Sequence, residues 1–119
     1  MKYKILVIED NPMVVKSIEF KLLKDGYDVI TAGDGKEAME LLKKEEFNLV
    51  ITDLMLPFVS GIQLIEFIRQ TKPELPIIVL STATQEEIIT NAFNLGVDDF
   101  ITKPFNPNEL SLRVRRFVK

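Results

Sequence analysis

The sequence predicts an α/β protein, with five βα units wound into a five-stranded parallel sheet between two layers of helices. Three observations predict it. Short β-branched runs recur five times along the chain. Four of the five are nearly continuous in apolar character, as strands covered on both faces are. Each run is followed by a segment with apolar residues at helical spacing.

Ile5 to Ile8 reads as the first strand. Asn11-Pro12 then sets a capping amide before a proline at the first helical position, and Val14, Ile18 and Leu22 share the face of helix 1. Gly26 marks its end, and Tyr27 to Thr31 forms strand 2. Asp34 with Glu37 opens helix 2, whose apolar face is Ala38, Leu41 and Leu42. Strand 3 is Leu49 to Thr52; Ser60 with Gln63 opens helix 3, which carries Leu64, Ile65 and Ile68. Strand 4 is Ile77 to Leu80, followed by Thr84 with Glu87 and a helix 4 bearing Ile89, Ala92 and Phe93, ended by Gly96. Phe100 to Thr102 is strand 5, and Asn106-Pro107, with Glu109 completing a capping box, starts a last helix carrying Leu110, Val114, Phe117 and Val118 almost to Lys119. Each cap supplies about 1 kcal/mol.

The chain has 119 residues, 46% hydrophobic and 28% charged, the size and balance of one compact domain over residues 1–119. Repeats, low-complexity tracts and linkers are not evident. Right-handed crossovers favour a doubly wound, three-layer, flavodoxin-like sheet of order 2-1-3-4-5. Its ligands sit at the carboxyl ends of the strands, beside the point where strand order reverses.

A net charge of -3 argues against direct nucleic-acid or anionic-membrane binding. With no cysteine, disulfides and thiolate sites are excluded; with no histidine, so are imidazole bases and a phosphohistidine in this chain. The N-terminal residues lack a long apolar stretch, and a cytoplasmic location is expected.

Strand 1 ends in Glu9-Asp10 and strand 3 in Asp53, so the topology brings three carboxylates to one rim. Such crowding calls for a cation, and an all-oxygen set selects a hard one; magnesium, with an open position for water and phosphate, suits it. Strand 4 ends at Ser81 and strand 5 at Lys103, adding a hydroxyl and an ammonium. Together they describe a phosphoryl site in which a carboxylate is the nucleophile. Each residue alone reads equally well as a solvated loop residue or turn former; the whole set does not.

Over its full length the chain resembles the receiver domain of two-component response regulators. The likeness rests on Ile-Glu-Asp-Asn at 8–11, Thr-Asp-Leu-Met-Leu-Pro at 52–57 with Gly61, Leu-Ser at 80–81, and Gly-Val-Asp-Asp-Phe-Ile-Thr-Lys-Pro-Phe at 96–105. The resemblance implies a signalling switch that catalyses only its own phosphoryl transfer and dephosphorylation. Asp53 is then the phosphoacceptor, with a histidine kinase or histidine phosphotransfer protein as donor. Asp10, Asp53 and the Met55 carbonyl hold magnesium, Glu9 helps through coordinated water, and Lys103 contacts the phosphoryl group. Ser81 and Phe100 form the output switch, and a cis bond precedes Pro104. Asp98, Asp99, Glu109 and Arg113 resemble residues through which some receivers pair on activation across helix 4, strand 5 and helix 5; alternatively, Glu109 and Arg113 simply pair with each other at i and i+4.

Thr82, Phe58 and Ile89 depart from the family pattern. Thr82 puts a second hydroxyl beside Ser81. Phe58 replaces a common glycine and either stands exposed near the site or folds over helix 3. Ile89 stands where some relatives have a pairing lysine. A haloacid-dehalogenase-like phosphohydrolase needs Asp-x-Asp after strand 1, where this chain has Asp10-Asn11-Pro12. A flavodoxin-like FMN binder needs a phosphate loop free of acids, and a degenerate receiver would not keep Asp10, Asp53, Ser81 and Lys103. Met55 and Ala83, two positions beyond Asp53 and Ser81, offer an attacking water no polar partner, which predicts a long-lived phosphoryl group.

Overall fold

A computed structural model of the chain describes residues 2–82 and 85–118. Five strands, β1 (Lys4–Ile8), β2 (Asp28–Ala32), β3 (Leu49–Asp53), β4 (Ile77–Ser81) and β5 (Asp99–Thr102), alternate with α1 (Pro12–Lys24), α2 (Gly35–Lys44), α3 (Gly61–Thr71), α4 (Glu86–Asn94) and α5 (Pro107–Val114). All strand pairs are parallel, in the order β2-β1-β3-β4-β5. This is the flavodoxin-like, doubly wound sheet that the alternation of runs and helical spacings predicts.

Alternation along the strands decides which helices lie where. Ile5, Val7, Leu49, Ile51, Ile78 and Leu80 pack with Ile18 and Leu22 of α1 and Leu110 and Val114 of α5. Their neighbours Leu6, Ile8, Val50, Ile77 and Val79 face the other way, onto Ala38 and Leu42 of α2, Leu64, Ile65 and Ile68 of α3, and Ala92 of α4. With both faces buried, a one-residue slip of any central strand would move apolar side chains from one helix layer to the other, so the register is fixed by packing.

The caps follow their local sequence unequally. Ser60 accepts from the Gln63 amide while the Gln63 side chain accepts from the Ser60 amide, a complete capping box. Asp34 accepts from the Glu37 amide, but Glu37 takes the Gly33 amide at 2.8 Å instead of that of Asp34. Asn106 caps through the Asn108 amide at 2.7 Å, and Glu109 does not close a box; its carboxylate turns to Arg113 at 3.6 Å. Helix α4 begins after Gln85, which makes no side-chain cap, and Thr84 lies outside the described residues. Gly26 and Gly96 end their helices at φ 96° and 98°, the left-handed conformation that glycine adopts without penalty.

Two helix readings are corrected. In α4 and its C-cap residue the packed face is Ile88, Ala92 and Leu95, and Phe93 is exposed. Both the 88/92/95 and the 89/92/93 sets fit a helical period, so spacing alone did not separate them. Helix α5 stops at Val114, and Phe117 and Val118 follow as a turn still packed on the α1 side of the sheet. Tyr27 holds that turn by donating its hydroxyl to the Val118 carbonyl at 2.8 Å. Among the described residues, no helix is long and apolar enough to cross a membrane.

The complete capping box gives a direct stability test. Ser60→Ala removes one half of it and is expected to lower unfolding free energy by about 1 kcal/mol, read as a lower urea midpoint at unchanged slope. An unchanged midpoint would contradict the capping account.

Candidate functional site

The central strands β1 and β3 lie side by side, with Ile8 opposite Thr52. The chain therefore carries Glu9 and Asp53 out of the sheet at the same edge, and Asp10 follows. One oxygen from each of Glu9, Asp10 and Asp53 lies within 4.8 Å of the others. Glu9 is 1% exposed and Asp53 8%, while Asp10 is open to solvent.

Lys103 reaches this cluster from the end of β5. Its backbone amide donates to the Ser81 carbonyl at 2.7 Å, fixing the segment beside β4, and the Lys103–Pro104 bond is cis, as expected. The ammonium donates to Asp53 Oδ2 at 2.7 Å and to Glu9 Oε1. Two backbone donors hold the other oxygens: the Asn11 amide on Glu9 Oε2 at 3.0 Å, and the Met55 amide on Asp53 Oδ1 at 3.1 Å. These backbone contacts were not legible in the motifs, because they depend on how the chain turns after each strand.

Gly61 supports the same turn. Its amide donates to the Leu54 carbonyl at 3.0 Å, and a Cβ there would stand 2.4 Å from the Asp53 carbonyl oxygen and 2.6 Å from Leu54 Cα. Only a residue without Cβ lets α3 start against the end of β3.

The electrostatics are unbalanced. Burial pushes the Glu9 carboxyl above its ordinary value, outweighing its bonds to Lys103 and the Asn11 amide. Lys103 is also held above its ordinary value: burial opposes its charge, but its bonds to Asp53 and Glu9 prevail. Three carboxylates gather about one ammonium, so acids outnumber the cation in the cluster. An all-oxygen, acid-rich cluster of this kind fits a hard divalent cation, and the donor set fits magnesium.

The other predicted residues fall around the cluster. Ser81 is buried as the last residue of β4, opposite Thr102 of β5. Phe100 is half-buried and packs against the apolar cluster under α3 and α4. The Met55 side chain is 77% exposed, Thr82 is exposed, and Ala83 lies outside the described residues. Of the two readings of Phe58, the exposed one holds, at 81%. Ile89 is half-buried.

The charged residues on the β5 side bond within the chain. Asp99 pairs with Arg113 at 2.8 Å, and Arg113 also faces Glu109 at 3.6 Å. Asp98 accepts from the Ile77 amide at 2.8 Å and from Arg69 at 2.9 Å. Arg69 itself escaped the sequence reading; it also donates to the Gly96 and Leu75 carbonyls at 2.9 and 2.7 Å. It ties the end of α3 to the turn that precedes β5, a long-range link with no local signature.

Comparison with known proteins agrees with this geometry. A profile of the response regulator receiver domain family matches residues 5–115. The alkaline phosphatase synthesis transcriptional regulatory protein PhoP of Bacillus subtilis is 39% identical over 119 residues, covering 100% of this chain and 50% of PhoP. The chain spans about half the length of the curated relatives it matches. The receiver domain of Francisella response regulator 1452 superposes with a TM-score of 0.92 at 33% identity, over 98% of this chain and 96% of that one. The BeF3-activated receiver domain of DrrB, a Thermotoga maritima protein, gives 0.92 at 36% identity, over 99% and 98%.

Proposed function

The chain belongs to the response regulator receiver domain family of two-component systems, and on that premise we propose that residues 1–119 act as one cytoplasmic receiver unit that accepts a phosphoryl group on Asp53 from a histidine kinase or histidine phosphotransfer protein. The observation that carries the reading is the Asp53 carboxylate, bonded to Lys103 at 2.7 Å and grouped with Glu9 and Asp10 within 4.8 Å.

In this reading an Asp53 oxygen attacks phosphorus as the bond to the donor's imidazole nitrogen breaks, its electron pair returning to the ring. Lys103 lies against Asp53 and can meet the charge that builds on the phosphoryl oxygens. The Met55 and Asn11 amides fix the Asp53 and Glu9 carboxylates, so little reorganisation is needed as charge moves. Asp10, Asp53 and the Met55 carbonyl, with Glu9 assisting through water, would hold a magnesium ion, which would supply further neutralisation of those oxygens. Ser81 then shifts toward the new dianionic group and Phe100 turns inward into the space it leaves, shifting the population of the α4, β5 and α5 face. Intact mass after incubation with magnesium and acetyl phosphate tests the reading: one added phosphoryl group in magnesium and none with chelator supports it, and an unchanged mass in both rejects it.

Two further outcomes follow. The Met55 side chain cannot orient a hydrolytic water, so Met55→Asn combined with Ala83→Glu is expected to speed phosphate loss by about tenfold, equivalent to about 1.4 kcal/mol of barrier. An unchanged rate in magnesium would show that flanking polarity does not set the lifetime. Activation-dependent pairing through α4, β5 and α5 is tested by sedimentation with and without beryllofluoride; a monomer in both states rules it out. The bonds of Asp98 to Ile77 and Arg69 and of Asp99 to Arg113 mean that pairing would have to exchange intramolecular contacts for intermolecular ones.

A further inference from the structure

The loop after Asp53 has a feature that the phosphoryl chemistry does not use. Phe58 sits at φ 70°, a region that bulky side chains rarely occupy. The Val59 amide donates to the Pro57 carbonyl at 2.9 Å, closing a three-residue turn of the strained, positive-φ kind around it. Contacts from α2 hold that turn. The Pro57 carbonyl also accepts from the Gly35 amide at 3.2 Å, and a Cβ on Gly35 would stand 1.8 Å from the Val59 carbonyl oxygen. Strain that the surroundings maintain is a pointer to function.

The strained turn projects an aromatic ring into water. Phe58 is 81% exposed, so the domain gains little from its apolar area. Met55 on the same loop and Met13 beyond Asp10 are 77% and 81% exposed. The two segments that carry the carboxylates thus also carry outward apolar side chains. Asp53 itself is only 8% exposed, so a phosphoryl group borne on a protein's imidazole reaches it only when the donor's surface closes over these segments.

Resting on the Asp53 reading above, we infer that Phe58 is a preset apolar anchor for the phosphohistidine-bearing donor protein, held outward at the expense of local backbone comfort. An aromatic on an already fixed backbone contributes binding at the cost of ordering only its two side-chain torsions. A small phosphodonor has no surface to meet it and is indifferent to it.

Phe58→Gly is an informative variant because glycine relieves the backbone strain, so the fold is retained or gains stability. The cytoplasmic portions of all histidine kinases of the source genome are purified and autophosphorylated, and the fastest donor to the wild-type chain is chosen. Transfer from that kinase is expected to fall about tenfold in kcat/KM, through KM, in Phe58→Gly and Phe58→Ala, and to return in Phe58→Leu. Labelling by acetyl phosphate stays within about twofold and the melting temperature does not fall. Kinase transfer unchanged in the glycine variant, an equal loss with acetyl phosphate, or wild-type transfer from no kinase at all would each overturn the inference. So would sedimentation showing that Phe58 instead mediates pairing of two copies without affecting transfer. Failure of acetyl phosphate to label wild-type Asp53 would strike the Asp53 reading itself, and is distinguishable from all of these.

Discussion

Asp53→Asn is expected to abolish phosphate incorporation from acetyl phosphate or a phosphorylated kinase. A carboxamide is not a nucleophile toward phosphorus, and Glu9, held likewise by Lys103 and the Asn11 amide, is 1% exposed and so less open to a phosphodonor than Asp53 at 8%. A loss of at least about a thousandfold, equivalent to about 4 kcal/mol of barrier, is the expected scale. The fold survives the change. Asparagine keeps an oxygen for the Met55 amide and removes one charge from a cluster of three carboxylates and one ammonium, so the melting temperature in chelator stays level or rises. Incorporation at the wild-type rate would mean that another residue is the acceptor.

Lys103→Ala is expected to act on both rate and stability. Losing the ammonium beside Asp53 removes a preorganised partner for the charge of the transferring group, and losses of this kind run at about a hundredfold to a thousandfold. Stability suffers because Glu9, buried with its side chain wholly covered, loses the charge bonded to it. Breaking one side of a buried pair costs about 3 to 5 kcal/mol. The pH dependence has a definite sign. Burial already raises the Glu9 carboxyl, and the variant removes the Lys103 bond that lowers it. The folded state then binds a proton more readily than the unfolded one. The resulting contribution is fully present below the ordinary carboxylate value and is lost as pH rises through the raised folded value. Lys103→Ala should therefore lose less stability in mild acid than at neutral pH. Magnesium should restore part of the loss, because binding to the native state alone is stabilising. Equal destabilisation at both pH values would show that Glu9 does not carry the effect.

Legibility followed the range of the forces involved. The strands were readable because burial on both faces leaves continuous apolar runs, and their order followed from the handedness of crossovers. The carboxylates, Ser81 and Lys103 were readable because each ends a strand or follows within two residues of its end, and parallel strands deliver their ends to one rim. Helix α4 was misread by one residue on its apolar face, since Ile88 and Ile89 both suit a helical period and only packing chooses Ile88. The Glu109 box failed because an i+4 arginine competes for the same carboxylate. Arg69 could not be found at all: its three partners, Leu75, Gly96 and Asp98, meet it only after α3, β4 and the turn before β5 have assembled. The left-handed backbone of Phe58 was hidden for a related reason, because its turn is packed against Gly35, which reaches Pro57 and Val59 only once α2 has docked.

The central claim is that the phosphoryl group resides on one named carboxylate, and borohydride trapping tests it most directly. Borohydride reduces an acyl phosphate to an alcohol and leaves free carboxylates untouched, so peptide mapping of the chain treated with acetyl phosphate and magnesium identifies the acceptor. The account predicts homoserine at position 53, dependent on magnesium, with Glu9 and Asp10 recovered unchanged. Homoserine at position 10, reduction at residue 9, or a phosphorylated chain whose Asp53 is recovered intact would contradict it.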